Sequence, residues 1–325
     1  MLIATNRYVN EDNFKNGVGD QNGFGEKLNS KGANELRFAR ASQLNGKWVV
    51  ELVEEPKQLT VGNLPSQVEF KKLMIDGANN KTQCVFYIHG FNKPFVETLE
   101  QGWFIHRQYG VEVVLFSWPS NPGGIWPPIE YRDARRIAMA SFGALDSLFD
   151  KFGGYLKGRM TSFDEKALLN SQVTTNLMTH SLGAYLFENY VLNQAYRAET
   201  KLFTNVILSQ ADVNNEDHMK WVDKIFAGQR TFSTVNENDA ILGWSEEINP
   251  PRLGKTLANL ISTKAQYFDF TRGKDVGNKH QLWGEVNNNT VRAFFSAVLN
   301  GKRGDEVTGY TYDSKFNAYR INESS

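Results

Sequence analysis

Ser181 stands in a run, Val173 to Gly183, that reads as a six-residue strand, a corner at Thr179-His180-Ser181-Leu182-Gly183, and a helix through Leu186, Tyr190 and Val191. A serine at such a corner, with a small residue two places on, has the spacing of a nucleophile elbow, where the hydroxyl is held out on a strained turn. Gly183 meets the demand for a small neighbour. Thr179 stands where the G-x-S-x-G pattern has its first glycine, so the match is incomplete. An ordinary strand-to-helix turn with Ser181 as N-cap accounts for the same pentapeptide.

A serine hydroxyl attacks an acyl carbon only when an imidazole takes its proton, and the imidazole needs a carboxylate to fix its tautomer and stabilise its charged form. Candidates for both follow later apolar runs. Asp212 comes after 205–209, Asp239 after 231–235, and His280 lies in the polar loop 277–281 beyond 266–270. Of five histidines, His280 alone follows the last strand pattern at a suitable distance; an exposed loop histidine is the alternative. Asp212 reads equally as a structural loop carboxylate or a helix cap before Glu216-Asp217-His218. His89 and His180 read as scaffolding of their loops, and His106 and His218 as structural or solvated.

The elements that position these residues alternate from Val68 onward between continuously apolar strands, such as Cys84 to Ile88, and amphipathic helices, including 94–109 and one long helix over about 131–152. In such parallel α/β sheets functional residues collect at the carboxyl ends of strands. Those ends present, in order, His89-Gly90-Phe91-Asn92, Ser117-Trp118, Ser181, Asp212, Asp239 and His280. Upstream, 1–60 reads as a β extension with a hairpin turn at Asn45-Gly46, and 10–32 as a loop. Residues 153–172 read as irregular and then partly helical, 243–262 as a flap over the cleft, and 306–322 as a C-terminal hairpin, all in one domain over 1–325.

The order Ser, Asp, His is that of the α/β hydrolases. The chain resembles a bacterial, esterase- or lipase-like branch of that superfamily over roughly residues 1–300. The shared segments are Ala4-Thr5-Asn6-Arg7, Tyr87-Ile88-His89-Gly90-Phe91-Asn92, Phe116-Ser117-Trp118-Pro119-Ser120, His180-Ser181-Leu182-Gly183, Asn238-Asp239-Ala240-Ile241-Leu242 and the late His280. The resemblance implies an α/β-hydrolase fold, a mostly parallel central sheet flanked by helices, with Ser181 as nucleophile and His280 as base. It favours Asp239 as acid, with Asp212 as the alternative. It also implies an oxyanion hole from the backbone N–H of Leu182 and of Phe91, which Gly90 lets come close. Asn92, Trp118 and Trp244, with Phe91 and Trp126, are candidates for a substrate pocket or for core. The expected activity is carboxylester hydrolysis by a serine hydrolase. A catalytically idle scaffold on this fold is the other reading, and thioester, amide or acyl-transfer chemistry on the same residues a third.

Composition narrows the partners. Lys+Arg and Asp+Glu are both 36, so no net field favours nucleic acid or an anionic membrane. The lone Cys84 fits a reducing compartment, and neither a signal-peptide pattern nor a membrane-length apolar run is present, so a cytoplasmic location is expected. No spacing of His, Cys or Glu suggests a metal and no glycine-rich phosphate loop appears, so no cofactor is expected, and the expected partner is a small ester or acyl substrate.

Overall fold

The computed structural model describes residues 1–56, 64–121, 123, 127–158, 173–193 and 202–322. Trp126 and the stretch 159–172 lie outside the described residues. The packing divides into two compact units, Met1–Thr174 and Thr175–Ser325.

The first unit runs β1 (Leu2–Thr5), β2 (Arg7–Val9), β3 (Val18–Gly19), β4 (Phe24–Leu28), β5 (Arg37–Leu44), β6 (Lys47–Val53), α1 (Pro65–Asn80), β7 (Gln83–Ile88), α2 (Phe95–Tyr109), β8 (Val111–Ser117), α3 (Pro127–Ala140) and α4 (Phe142–Gly158). Its sheet is ordered β7-β8-β1-β5-β6-β3. The pairs β7–β8 and β8–β1 are parallel, whereas β1–β5, β5–β6 and β6–β3 are antiparallel. The expected N-terminal β extension is therefore present. Its hairpin turns at Asn45 (φ +51°) and Gly46 (φ +76°), the two left-handed residues a tight primed turn requires. Phe70 of α1, Phe86 of β7 and Phe152 of α4 pack together, with ring centroids 5.2 Å (Phe70–Phe152) and 4.8 Å (Phe86–Phe152) apart.

Two local features differ from the sequence reading. Inside the loop read over 10–32, β4 pairs with β2 as a separate ribbon, because buried Phe24 meets Phe95 edge-on at 5.0 Å. The single long helix over 131–152 is instead two, α3 and α4, meeting at Ser141. There the Ser141 hydroxyl donates back to Ile137 O at 2.7 Å and accepts from the Asn6 amide at 2.9 Å, while an added Cβ at Gly143 would lie 2.4 Å from Asn34 Oδ1. A serine turned back on its own helix disturbs the ladder there.

The run Ala4-Thr5-Asn6-Arg7 is a staple for this unit. The Thr5 hydroxyl donates to Ser117 O, and fully buried Arg7 donates to Ser117 Oγ (2.9 Å), Lys93 O (2.8 Å) and the carboxylate of Glu26. Arg7→Ala strands these acceptors and empties a side-chain volume, so it is expected to cost about 3–5 kcal/mol, measured by urea unfolding.

His89, also fully buried, donates from Nδ1 to Gly90 O (2.9 Å) and accepts the Trp118 amide at Nε2 (3.1 Å). Burial holds its pKa well below the usual histidine value, and burial likewise lowers that of His218 in the second unit. Below about pH 6.5 the unfolded chain takes up protons that these folded imidazoles refuse, so stability falls as pH falls through that window. The slope is up to about 1.4 kcal/mol per pH unit for each group. Urea titrations at pH 7.5 and 5.5 check this, and His89→Gln is expected to flatten the slope.

The second unit runs β9 (Thr175–His180), α5 (Leu182–Leu192), β10 (Phe203–Ser209), α6 (Met219–Val222), β11 (Ala227–Val235), α7 (Ala240–Glu246), β12 (Ala265–Asp269), α8 (Leu282–Glu285), α9 (Asn289–Leu299), β13 (Tyr310–Asp313) and β14 (Ala318–Ile321). Strands β9, β10, β11, β12 and β14 lie side by side in parallel, and β13 closes antiparallel on β14. Helix α9 buries Val291, Phe294, Phe295, Val298 and Leu299, one face at helical spacing. Phe294 sits 4.5 Å from Phe268 of β12, ring centroid to centroid. The register aligns His180 with Ser209 and Val235 with Asp269, so the loops after β9, β10, β11 and β12 leave from one edge of the sheet.

Candidate active site

The helices of the second unit begin at polar residues, and they begin differently. Asp239 caps α7, its Oδ1 accepting from the N–H of Ile241 (3.0 Å) and Leu242 (2.9 Å). Asn288 caps α9 through Val291 N. Ser181 precedes α5 with no side-chain cap at all and with φ +54°, ψ −126°. That backbone region is rarely occupied by an L-residue and costs about 1–3 kcal/mol, tolerated where the surroundings over-determine it. The simple N-cap reading of Ser181 therefore does not fit this backbone.

The strained turn is held by its own amide and carbonyl. Ser181 N–H donates to Ser209 O (3.1 Å), and Ser181 O accepts from Ala184 N (3.0 Å) and Asp212 N (3.1 Å). Thr179 is accommodated with its side chain wholly buried against β10, the hydroxyl reaching Ile207 O at 3.5 Å. At the start of α5, Leu182 offers one of the first-turn N–H groups that no helical carbonyl can reach, with the helix dipole behind it.

Asp239 and His280 come together. Asp239 is buried, and while Oδ1 caps α7, Oδ2 accepts the Nδ1–H of His280 at 2.7 Å. One carboxylate thus fixes both the helix start and the imidazole. That bond leaves Nε2 of His280 as the ring's proton acceptor. The imidazole keeps some exposure, at 13% of its side chain, and rests against the ring of His180, centroids 4.7 Å apart. His180 Nε2–H donates to His280 O at 3.3 Å. No hydrogen bond links Ser181 Oγ with His280 among the described residues; such bonds are often long without substrate and tighten when it is bound.

The alternative acid is engaged elsewhere. Asp212 Oδ1 accepts from Ser245 Oγ (2.7 Å) and from Nε of Arg252 (2.8 Å), a guanidinium with no exposed surface. The sequence reading missed two residues here. Asn236, fully buried, donates from Nδ2 to Gly277 O (3.1 Å) and Lys279 O (2.9 Å), pinning the histidine loop from below. Arg252 is the other, and only its isolation within Pro250-Pro251-Arg252-Leu253 hinted at a buried role.

A family model described as "Alpha/beta hydrolase of unknown function (DUF900)" matches residues 66–268. The chain belongs to that family. The matched span includes Ser181 and Asp239 and stops before His280. This α/β hydrolase is also similar to two solved structures. One is a "predicted CIB-like hydrolase" from Thermoplasma acidophilum, 13% identical, with 81% of this chain and 97% of that one covered at a TM-score of 0.35. The other is a "novel cold-adapted esterase" from an Arctic intertidal metagenomic library in a PEG-bound complex, 12% identical, covering 87% and 95% at a TM-score of 0.37. No curated protein matches the chain. Among the described residues no helix is long and apolar enough to cross a membrane.

The remaining expected site residues of this hydrolase are placed as follows. Trp244 lies on α7, the helix that Asp239 caps, and is half-buried. Phe91, Asn92 and Trp118 belong to the first unit. The Phe91 ring meets Tyr131 edge-on at 5.6 Å, and Asn92 takes a left-handed conformation (φ +54°) with its N–H on Ser120 O. Trp118 is fully buried, stacked on His89 at 5.5 Å, with its indole N–H donated to His89 O at 2.9 Å. Its ring faces core.

Proposed function

We propose that this α/β hydrolase is a serine hydrolase that cleaves carboxylic esters through an acyl-enzyme. Ser181 Oγ attacks the ester carbonyl, and His280 Nε2 takes its proton and delivers it to the leaving alcohol. Asp239, through the 2.7 Å bond to Nδ1, holds the tautomer and stabilises the imidazolium that forms. The N–H of Leu182 receives the developing oxyanion. Water then attacks the acyl group by the same route in reverse. Trp244, on the helix that carries the acid, is the candidate contact for the acyl or alcohol part.

The observation that carries this reading is the Asp239–His280 bond, in a loop packed on His180, together with the next residue, a serine that holds a costly backbone conformation and caps nothing. A cap or loop residue has no use for that strain. The test is intact mass after treatment with a fluorophosphonate, with the adduct mapped by peptide sequencing. One adduct, on Ser181, is expected. A wild-type protein that takes no adduct favours the idle scaffold, for which the missing Ser181–His280 bond is the supporting observation. Thioester, amide and transfer chemistry on the same residues are separated by a substrate panel with and without added alcohol acceptors.

A further inference from the structure

The segment 250–254, part of the stretch read from sequence as a flap, is tied by backbone hydrogen bonds to the chain that follows β10. Asn215 N–H donates to Pro251 O (2.8 Å), Leu253 N–H to Val213 O (3.0 Å) and Gly254 N–H to Ala211 O (3.0 Å). Gly254 lies so close to the turn after β10 that a Cβ there would sit 2.4 Å from the Gln210 carbonyl carbon and 2.5 Å from Ala211 N. Arg252, at the middle, is wholly buried. Nε donates to Asp212 Oδ1 (2.8 Å), Nη2 to Asp212 O (2.7 Å) and Nη1 to Asn214 Oδ1 (2.6 Å), and its own N–H reaches Glu246 Oε1 at the end of α7 (2.8 Å).

Each end of this anchor leads to a member of the candidate site. Asp212 N–H is one of two donors on the carbonyl of Ser181, and the Asp212 carboxylate also takes Ser245 Oγ, on the helix that Asp239 caps. On the other side, Asn236 N–H donates to Gly254 O (3.0 Å), and the Asn236 side chain holds the carbonyls of Gly277 and Lys279 just before His280. The nucleophile turn, the acid helix and the base loop therefore share one brace.

We infer that Arg252 is a positioning residue. Through Asp212 and the 250–254 segment it sets the strained turn of Ser181 in register with Asp239 and His280. This inference rests on the reading of Ser181 as nucleophile. A buried ion pair is a poor source of stability, since well-packed apolar residues of similar size commonly replace one without loss. What the fork of Arg252 supplies that an apolar residue lacks is direction, three donors fixed in one plane on two residues of the turn beside Ser181.

That difference gives the test. In Asp212→Leu/Arg252→Met the charges are replaced together and the pocket stays filled, so no lone charge is buried. The wild type, this double variant, Arg252→Lys and Gly254→Ala are compared for melting temperature, for the second-order rate of fluorophosphonate labelling, and for kcat and KM on p-nitrophenyl butyrate. The double variant is expected to melt within a few degrees of wild type, with labelling and kcat down on the order of 10²-fold and KM within about twofold. Arg252→Lys, which keeps the charge without the fork, is expected to fall between the two.

A folded double variant that labels within about threefold of wild type overturns the inference while leaving the functional reading intact. Should it fail to fold, Gly254→Ala decides in the same way. One methyl there pushes the segment off the 210–211 turn, slowed labelling at near-wild-type melting supports the brace, and unchanged labelling overturns it. A wild type that takes no adduct overturns the functional reading, and the inference falls with it.

Discussion

Ser181→Ala is expected to lower kcat for an activated ester by on the order of 10⁶-fold, and adding His280→Ala to lower it no further. The size follows from the division of labour. Without the hydroxyl there is no acyl-enzyme, so only binding and the Leu182 N–H remain to favour direct attack by water. Without the imidazole the hydroxyl keeps its proton and is a weak nucleophile. Because either loss removes the same step, the two effects do not add. The absence of a cap makes Ser181→Ala a clean experiment, since Ser181 Oγ satisfies no N–H of α5 and its loss leaves no helix donor stranded. A melting curve that overlays wild type is therefore expected beside the loss of turnover. If instead Ser181→Ala retains turnover within about tenfold while His280→Ala does not, the imidazole activates water directly and the acyl-enzyme is excluded.

Asp239→Asn is expected to lower kcat by on the order of 10⁴-fold at neutral pH. Asp239 serves two structures at once, Oδ1 toward Ile241 and Leu242, Oδ2 toward His280. An asparagine keeps an acceptor for the helix amides, so α7 survives. The amide NH₂ then faces Nδ1 of His280, and two donors cannot share a hydrogen bond. The ring must adopt the tautomer protonated on Nε2, the nitrogen that should accept the proton of Ser181. Fluorophosphonate labelling and kcat are expected to fall together with little change in melting.

Asp212→Asn provides the contrast. It leaves His280 untouched and strands the buried guanidinium of Arg252, so its first signature is a loss of stability of about 3–5 kcal/mol. The pair of variants thus separates the two carboxylates by phenotype. Loss of turnover with a retained melt marks the acid, and loss of the melt marks the structural partner.

The parts of this molecule that were readable from its sequence are those with a period or a fixed spacing. Apolar runs such as Cys84 to Ile88 appear as strands, and the turn signal Asn45-Gly46 appears as a hairpin. The order of Ser181, Asp239 and His280 led to residues of which the last two meet at 2.7 Å. What stayed hidden has no pattern of its own. The break at Ser141 leaves the helical spacing of apolar residues intact, and it arises from Asn6 and Asn34, over a hundred residues away in the chain. Strand β4 owes its place to one buried ring against α2. Asn236 does its work through backbone carbonyls, which leave no trace in a sequence, and Arg252 through Asp212 and Asn214, about forty residues back in the chain. Asp212 and Asp239 look alike in one dimension and are told apart only by their partners, a guanidinium for one and an imidazole for the other.

The register of β1 has a consequence for how the chain is made. Thr5 pairs with Ser117 across 112 residues of sequence, whereas β1 also pairs with β5 and β5 with β6 through a two-residue turn. At about 5–20 residues per second, a ribosome leaves β1 without its parallel neighbour for several seconds after it emerges. In that interval the antiparallel meander β1-β5-β6 can assemble from nearby contacts alone, at a low cost in loop closure. It covers one edge of an apolar strand that would otherwise be open to neighbouring nascent chains. By this order of synthesis β1 can meet its antiparallel partner β5 before its parallel partner β8 has been made.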